Sequence, residues 1–214
     1  MKGGIKMKVL LLNGSPHAKG CTFTALNEMK TVFEQAGVQA DLIQVGHLAV
    51  RGCVSCGRCH SAGKCVFDDR VNELAPLFEA ADGLVVGSPV YYGSPNGTLL
   101  SLLDRLFYST SFDKRMKVGA SVVSCRRAGN TASFDVLNKY FTISQMPVVS
   151  SQYWNNIHGF TAQDAEKDLE GLQTMRTLAR NMVFLMRAIA AEKAAHGLPP
   201  LEKEHCFTSF PDGL

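Results

Sequence analysis

No stretch of the 214-residue sequence approaches the ~18 consecutive apolar residues that a membrane-crossing helix needs. The apolar run behind the Lys/Gly-rich N-terminus, Val9 to Leu12, is too short for the core of a signal peptide. Charge of one sign is also scarce. Twenty-two Lys and Arg against 19 Asp and Glu leave a formal net charge of +3, with no long single-sign run. That is too little for a nucleic-acid footprint. An internal repeat and a low-complexity tract are absent too. These absences imply a cytoplasmic protein that acts on neither membranes nor nucleic acids. With 46% apolar and 19% charged residues the chain can bury a sizeable core without disulfides. Yet it has seven cysteines, four of them crowded between Cys53 and Cys65. In reducing surroundings they call for a reading other than disulfides.

Short β-like runs alternate with longer helical ones. Met7 to Leu12 is nearly continuous in apolar residues, as a strand covered on both faces should be. Phe23, Leu26, Met29 and Phe33 follow at helical spacing, with Gly37 as the stop. Ala40 to Val45 reads as a second strand. Leu74, Leu77, Phe78 and Ala81 mark a second helix, capped by Asp68 or Asp69. Leu84 to Val86 and Val118 to Val123 read as strands 3 and 4, and Val148 to Ser150 as a short strand 5. Leu99, Leu102, Leu103 and Leu106 make the third helix, and Phe134, Leu137 and Phe141 the fourth. A last helix is predicted from Thr161 to His196, stopped by Gly197 and Pro199-Pro200, with an irregular arm beyond. On it Met175, Met182 and Met186 read as packing.

Five strands alternating with helices predict an α/β fold. It is a doubly wound five-stranded parallel sheet of flavodoxin-like order 2-1-3-4-5. One domain would span 1–214, with a Cys-rich loop at 51–70 and a C-terminal helix and arm at 161–214. Ligands of such sheets sit beyond the carboxyl ends of the strands, at the switch point between strands 1 and 3. The loops at those ends carry unusual chemistry.

The loop after strand 1 runs Asn13-Gly14-Ser15-Pro16-His17-Ala18-Lys19-Gly20-Cys21-Thr22-Phe23-Thr24. It is neither the Rossmann nor the Walker A pattern, which argues against a dinucleotide or a nucleoside triphosphate here. Backbone N–H groups at a helix N-terminus, with hydroxyls from Ser15, Thr22 and Thr24, suit a single phosphate such as that of FMN. Lys19 adds a charge or is a solvated rim residue, as is His17. The loop after strand 3, Gly87 to Gly97, contributes Pro89, Val90, Tyr91, Tyr92, Gly93 and Ser94. Gly93 and Gly97 would let the backbone approach a planar ligand. Of the adjacent tyrosines, at least one should point to the loop side. The loop after strand 4 offers Cys125, Arg126, Arg127 and Gly129. Either arginine offsets charge at a flavin ring, holds a nicotinamide phosphate, or is a solvated surface group.

Gly14-Ser15-Pro16 with Gly20-Cys21-Thr22 resembles the phosphate loop of the NADPH-dependent FMN reductase family, with His17 and Cys21 replacing the usual Arg and Asn. Ser88-Pro89-Val90-Tyr91 with Gly93-Ser94, continued by Asp104-Arg105, resembles the family's second loop, and 124–131 its third ring-contacting loop. Tyr153 to Gly159 is similar to a further family segment. The likeness spans about residues 7 to 190. It implies non-covalent FMN, NADH or NADPH as co-substrate, and a homodimer or homotetramer with the ring near a subunit interface.

Cys53-x2-Cys56-x2-Cys59-x5-Cys65 is the sharpest local signal. Three cysteines at this spacing can wrap one iron–sulfur cluster, although bacterial ferredoxins continue with x3 and a proline. A structural zinc, redox-active disulfides and a metal-free loop stand as alternatives. The spacing resembles the iron–sulfur flavoproteins, a branch of the same superfamily, which implies a 4Fe–4S cluster that feeds FMN single electrons. Cys21, Cys125 and Cys206 are isolated, and read as small buried or loop residues.

Two functions follow. The first is an enzyme that passes electrons from a nicotinamide through FMN to a small-molecule acceptor: a quinone, flavin, nitro compound or metal. The protein then supplies position and electrostatics, and no catalytic side chain is singled out. The second is an iron–sulfur flavoprotein carrying single electrons between protein partners. Against a plain flavodoxin stands the mildly basic charge.

Overall fold

The computed structural model describes residues 7–202; Cys206 and most of the expected C-terminal arm lie outside the described residues. In chain order the elements are β1 (Lys8–Asn13), α1 (Cys21–Gln35), β2 (Gln39–Gln44), α2 (Cys59–Ala62), α3 (Arg70–Glu79), β3 (Gly83–Tyr91), β4 (Ser94–Pro95), α4 (Gly97–Ser109), β5 (Val118–Cys125), α5 (Asn130–Ile143), β6 (Asn156–His158), α6 (Ala162–Lys167) and α7 (Leu169–His196). The parallel strands lie in the order β2-β1-β3-β5-β6, and the two-residue β4 folds back antiparallel on β3. Counting parallel strands alone, this is the flavodoxin-like 2-1-3-4-5.

Strand β1 shows why its apolar run has no alternation. Val9 and Leu11 pack into one core layer with α1 and α7, while Leu10 and Leu12 point into the other, with α3, α4 and α5. A strand buried on both faces needs apolar residues at every position. Met175 and Met182 of α7 are fully buried and Met186 nearly so, which is the packing role expected of them. No described helix is long and apolar enough to cross a membrane.

On β5, Gly119 leaves room for a ring. A Cβ there would lie 2.5 Å from Phe141 Cγ and 2.7 Å from its Cδ1. Gly119→Ala should therefore lower the urea midpoint, at a cost of about 1–3 kcal/mol from overpacking.

Two elements differ from the sequence reading. Val148 makes only one isolated bridge, to Gly119, so Val148 to Ser150 is not the fifth strand. The edge position belongs to β6, whose three residues pair with Val123, Ser124 and Cys125. The expected helix from 161 to 196 is two helices. Asp168 separates them because its Oδ1 accepts Gly171 N at 2.9 Å, capping α7, while its Oδ2 accepts His158 N at 2.7 Å. Of the two candidate caps for α3, Asp69 does the work, accepting Val71 N at 3.1 Å.

Candidate functional site

Beyond the carboxyl ends of β1, β3 and β5 lies a cleft of about 590 Å³. Ser15, His17, Lys19, Gly20, Cys21 and Thr22 line one side, and Pro89, Val90 and Tyr91 another. Ser124, Cys125 and Arg126 come from the third loop. Thr22 Oγ1 and Ser124 Oγ meet at 2.8 Å, a buried bond that ties α1 to the end of β5. Helix α1 begins at Gly20 with no capping side chain and no acidic residue in its first turn. Its first N–H groups therefore face the cleft without a capping side chain, the arrangement that suits a phosphate.

The cradle is held by Asn13, Gln44 and Asn96, to which the sequence reading gave no role. Asn13 Oδ1 accepts Ser15 N at 3.0 Å, and Gln44 Nε2 donates to Ser15 O at 2.7 Å. Asn96, buried at the start of α4, donates from Nδ2 to Gly14 O at 2.7 Å and caps its helix by accepting Thr98 N at 3.0 Å. One side chain thus couples the first loop to the second.

Several residues expected in the cleft do not line it. Thr24 turns its hydroxyl back to Gly20 O at 3.4 Å. Tyr92 and Gly93 have φ of 50° and 75° and sit between the pairs Val90–Pro95 and Tyr91–Ser94. That is a two-residue hairpin turn with both central residues left-handed. It carries Tyr92 out to full exposure while Tyr91 stays on the cleft wall. Ser94 belongs to β4, and Arg127 is exposed and outside the lining. Gly129, with φ of 86°, lets its loop pack on the hairpin, since a Cβ would come within 2.8 Å of Val90 Cγ1. Gly97 is the first residue of α4 and has open space around it.

The far wall was missed. Gly159, Phe160, Thr161 and Ala162 also line the cleft and meet the first loop, where Cys21 Sγ donates to Thr161 O at 3.1 Å. The segment Tyr153 to Gly159 was the available signal, without a role attached. Beside it a shallow depression shares Arg126, Gly159 and Phe160 with the cleft and adds His158, Asp164, Lys167 and Asp168.

The four clustered cysteines surround one narrow pocket, together with Val54, Phe67, Arg105 and Tyr108. None is in a disulfide. Among the described residues no three Cys, His, Asp or Glu side chains close to the spacing of a metal-binding group. Asn72 shapes the loop, with Oδ1 accepting Cys65 N at 3.0 Å and Nδ2 donating to Cys65 O at 3.0 Å. Arg105 lies beneath, 1% exposed. Its Nε and Nη2 each donate to Cys65 Sγ at 3.2 Å, and Nη1 and Nη2 grip the Asp69 carboxylate at 2.7 and 2.9 Å. Nη1 also donates to Arg51 O at 3.1 Å, and the guanidinium stands 4.9 Å from the Phe67 ring centre. A charged residue on the apolar stripe of Leu99, Leu102, Leu103 and Leu106 was the sequence signal for it.

Burial pushes the Cys21 and Cys125 thiols above their ordinary value, and the Asp168 carboxylate adds to it at Cys125. Cys53 and Cys56 are exposed. In metal-free protein at pH 8, iodoacetamide should label Cys53 and Cys56 well before Cys21 and Cys125, because the thiolate is the nucleophile. Peptide mass spectrometry reads the order; early labelling of Cys125 would contradict it.

Comparison with known proteins agrees with this geometry. The profile of the NADPH-dependent FMN reductase family matches residues 7–161. An iron–sulfur flavoprotein of Methanocaldococcus jannaschii is 29% identical over 191 residues, covering 86% of this chain and 99% of that one. One from Methanosarcina thermophila is 29% identical over 187 residues, covering 86% and 97%. Among solved structures, RosB with a bound riboflavin-5'-phosphate derivative superimposes with a TM-score of 0.70 at 13% identity, covering 96% of this chain and 93% of RosB. An NAD(P)H:quinone oxidoreductase from Methanothermobacter marburgensis does so with 0.64 at 18%, covering 84% and 98%. At such identities the structures speak for the fold alone, whereas the profile covers well over half of the chain, from β1 through β6. The chain belongs to the NADPH-dependent FMN reductase family.

Proposed function

We propose that the chain binds FMN in the switch-point cleft and works as an oxidoreductase. It takes electrons from NADH or NADPH and gives them to a small-molecule acceptor: a quinone, a flavin, a nitro compound or a metal. One observation carries the reading. An uncapped, acid-free helix N-terminus, held by Asn13, Gln44 and Asn96, opens onto a cleft of about 590 Å³ walled by Tyr91 and Phe160. The FMN supplies the redox chemistry when bound, and this chain's residues position it. Ser15, Thr22 and the first-turn N–H groups of α1 hold the phosphate, while Pro89, Val90, Tyr91 and Arg126 bound the ring. The nicotinamide would approach from the adjoining depression, where Arg126, His158 and Lys167 stand beside Asp164 and Asp168.

The cysteine pocket favours a second reading, an iron–sulfur flavoprotein exchanging single electrons with protein partners. Four thiols ring one pocket, and Cys65 accepts two N–H groups from a buried cation, a setting that suits thiolate ligands. Cys53, Cys56, Cys59 and Cys65 would hold a 4Fe–4S cluster there, which would supply one-electron steps. The names of the two archaeal relatives point the same way.

Anaerobic purification with a visible spectrum, iron and sulfide analysis, and a nicotinamide oxidation assay with an artificial acceptor separates the readings. Flavin bands with steady NADH or NADPH turnover support the enzyme. Flavin with about four irons per chain and no nicotinamide turnover supports the carrier. Failure to take up FMN overturns both. Exposed Tyr92, Tyr153, Trp154 and Phe160 support assembly into a homodimer or homotetramer, which light scattering would report.

A further inference from the structure

We propose that Arg105 is a positioning residue for the cysteine site, fixing the Cys65 sulfur with two N–H donors and setting the reduction potential of a cluster held there. This rests on the iron–sulfur reading above.

Helix α4 carries four buried leucines and one buried cation. A guanidinium removed from water costs free energy unless every donor finds a partner. Here the fork is spent on one loop: Asp69, the carbonyls of Arg51 and Phe67, and Cys65 Sγ. Arg105 is itself 1% exposed, whereas the Asp69 side chain is 33% exposed. Water thus screens the carboxylate better than the cation, so Asp69 at 2.7 and 2.9 Å offsets only part of a positive charge that also acts on the sulfur at 3.2 Å.

N–H groups donated to a ligating sulfur draw off negative charge, and a buried positive charge beside it favours the state with one more electron. Both raise the potential. Among the described residues Cys53, Cys56 and Cys59 accept no such bonds, so the effect enters through Cys65. Arg51, Arg58, Lys64 and His60 lie on the same loop. Among them Arg51 stacks on Phe67 at 5.2 Å and His60 Nε2 meets Tyr108 Oη at 3.0 Å, so neither is engaged with a cysteine sulfur.

The test compares wild type, Arg105→Lys and Asp69→Asn after anaerobic reconstitution with iron and sulfide. The midpoint potential of the cluster is followed by electron paramagnetic resonance of its reduced form. Arg105→Lys keeps the charge but loses the fork, so its midpoint falls. Asp69→Asn keeps the cap on α3 but removes the charge that offsets Arg105, so its midpoint rises. A role limited to holding the loop would not give shifts of opposite sign. Should Arg105→Lys fail to load iron, wild type grown with ¹⁵N-arginine decides: hyperfine coupling from guanidinium nitrogen is expected in the reduced spectrum. Loaded variants at the wild-type potential, or no ¹⁵N coupling, would overturn the role of Arg105 alone. Wild type that takes up no iron would overturn the cluster reading and this role together.

Discussion

Gly46→Ala raises the FMN dissociation constant about 30- to 100-fold, the equivalent of roughly 2–3 kcal/mol of overpacking carried into the cradle. Gly46 follows β2 and does not itself line the cleft, so the effect passes through the backbone of the first loop. A Cβ there would lie 2.2 Å from Gly14 O, 2.3 Å from Gly14 C and 2.4 Å from Ser15 C. All three are backbone atoms, and none can swing aside as a side chain would. Either β2 pulls away, losing Gly46 N to Asn13 O at 3.1 Å, or the phosphate loop moves and breaks the bonds from Asn96 and Gln44. Fluorescence titration of FMN into apo protein measures the constant. Gly52→Ala is the control, since its Cβ would meet only Ser101 Oγ at 3.9 Å. Equal affinities for the two variants would show that the cradle tolerates the shift.

Arg105→Met destabilises the metal-free protein by about 2–3 kcal/mol, less than the 3–5 typical of a broken buried pair, because Asp69 regains water at its exposed side. Methionine fills much of the volume but makes none of the bonds to Asp69, Arg51, Phe67 and Cys65. For a chain of this size the melting temperature should drop by roughly 4–12 °C. The loss is local in origin, so hydrogen exchange should quicken most across 51–69, the segment clamped to α4, and least in β1 and β3. A uniform increase would mean that Arg105 supports the whole core instead.

The fold was legible where burial is two-sided or periodic. β1 announced itself by an unbroken apolar run, α1 and α4 by their spacing, and the cleft by three loops that fall in order at the ends of three strands. The turn at Tyr92-Gly93 was half legible: Gly93 signalled a bend, but nothing in the sequence says that tyrosine accepts a left-handed backbone beside it. The edge strand was not. Three residues at β6 carry too little pattern to outweigh Val148 and Val149, whose apolar character reflects core contact more than strand pairing.

The sequence by itself determined the fold class, the place of the cleft and the crowding of four cysteines, because each depends on the composition of contiguous residues. Only the tertiary structure decided which groups act together. Asn96 finds Gly14 across 82 residues and Gln44 finds Ser15 across 29. Arg105 finds Cys65 across 40, and Asp168 both starts α7 and reaches back to β6. Such polar side chains read in sequence as surface groups. They become buried or half-buried and bonded only where sheet register and helix packing bring a distant backbone within hydrogen-bond reach, which no local pattern encodes.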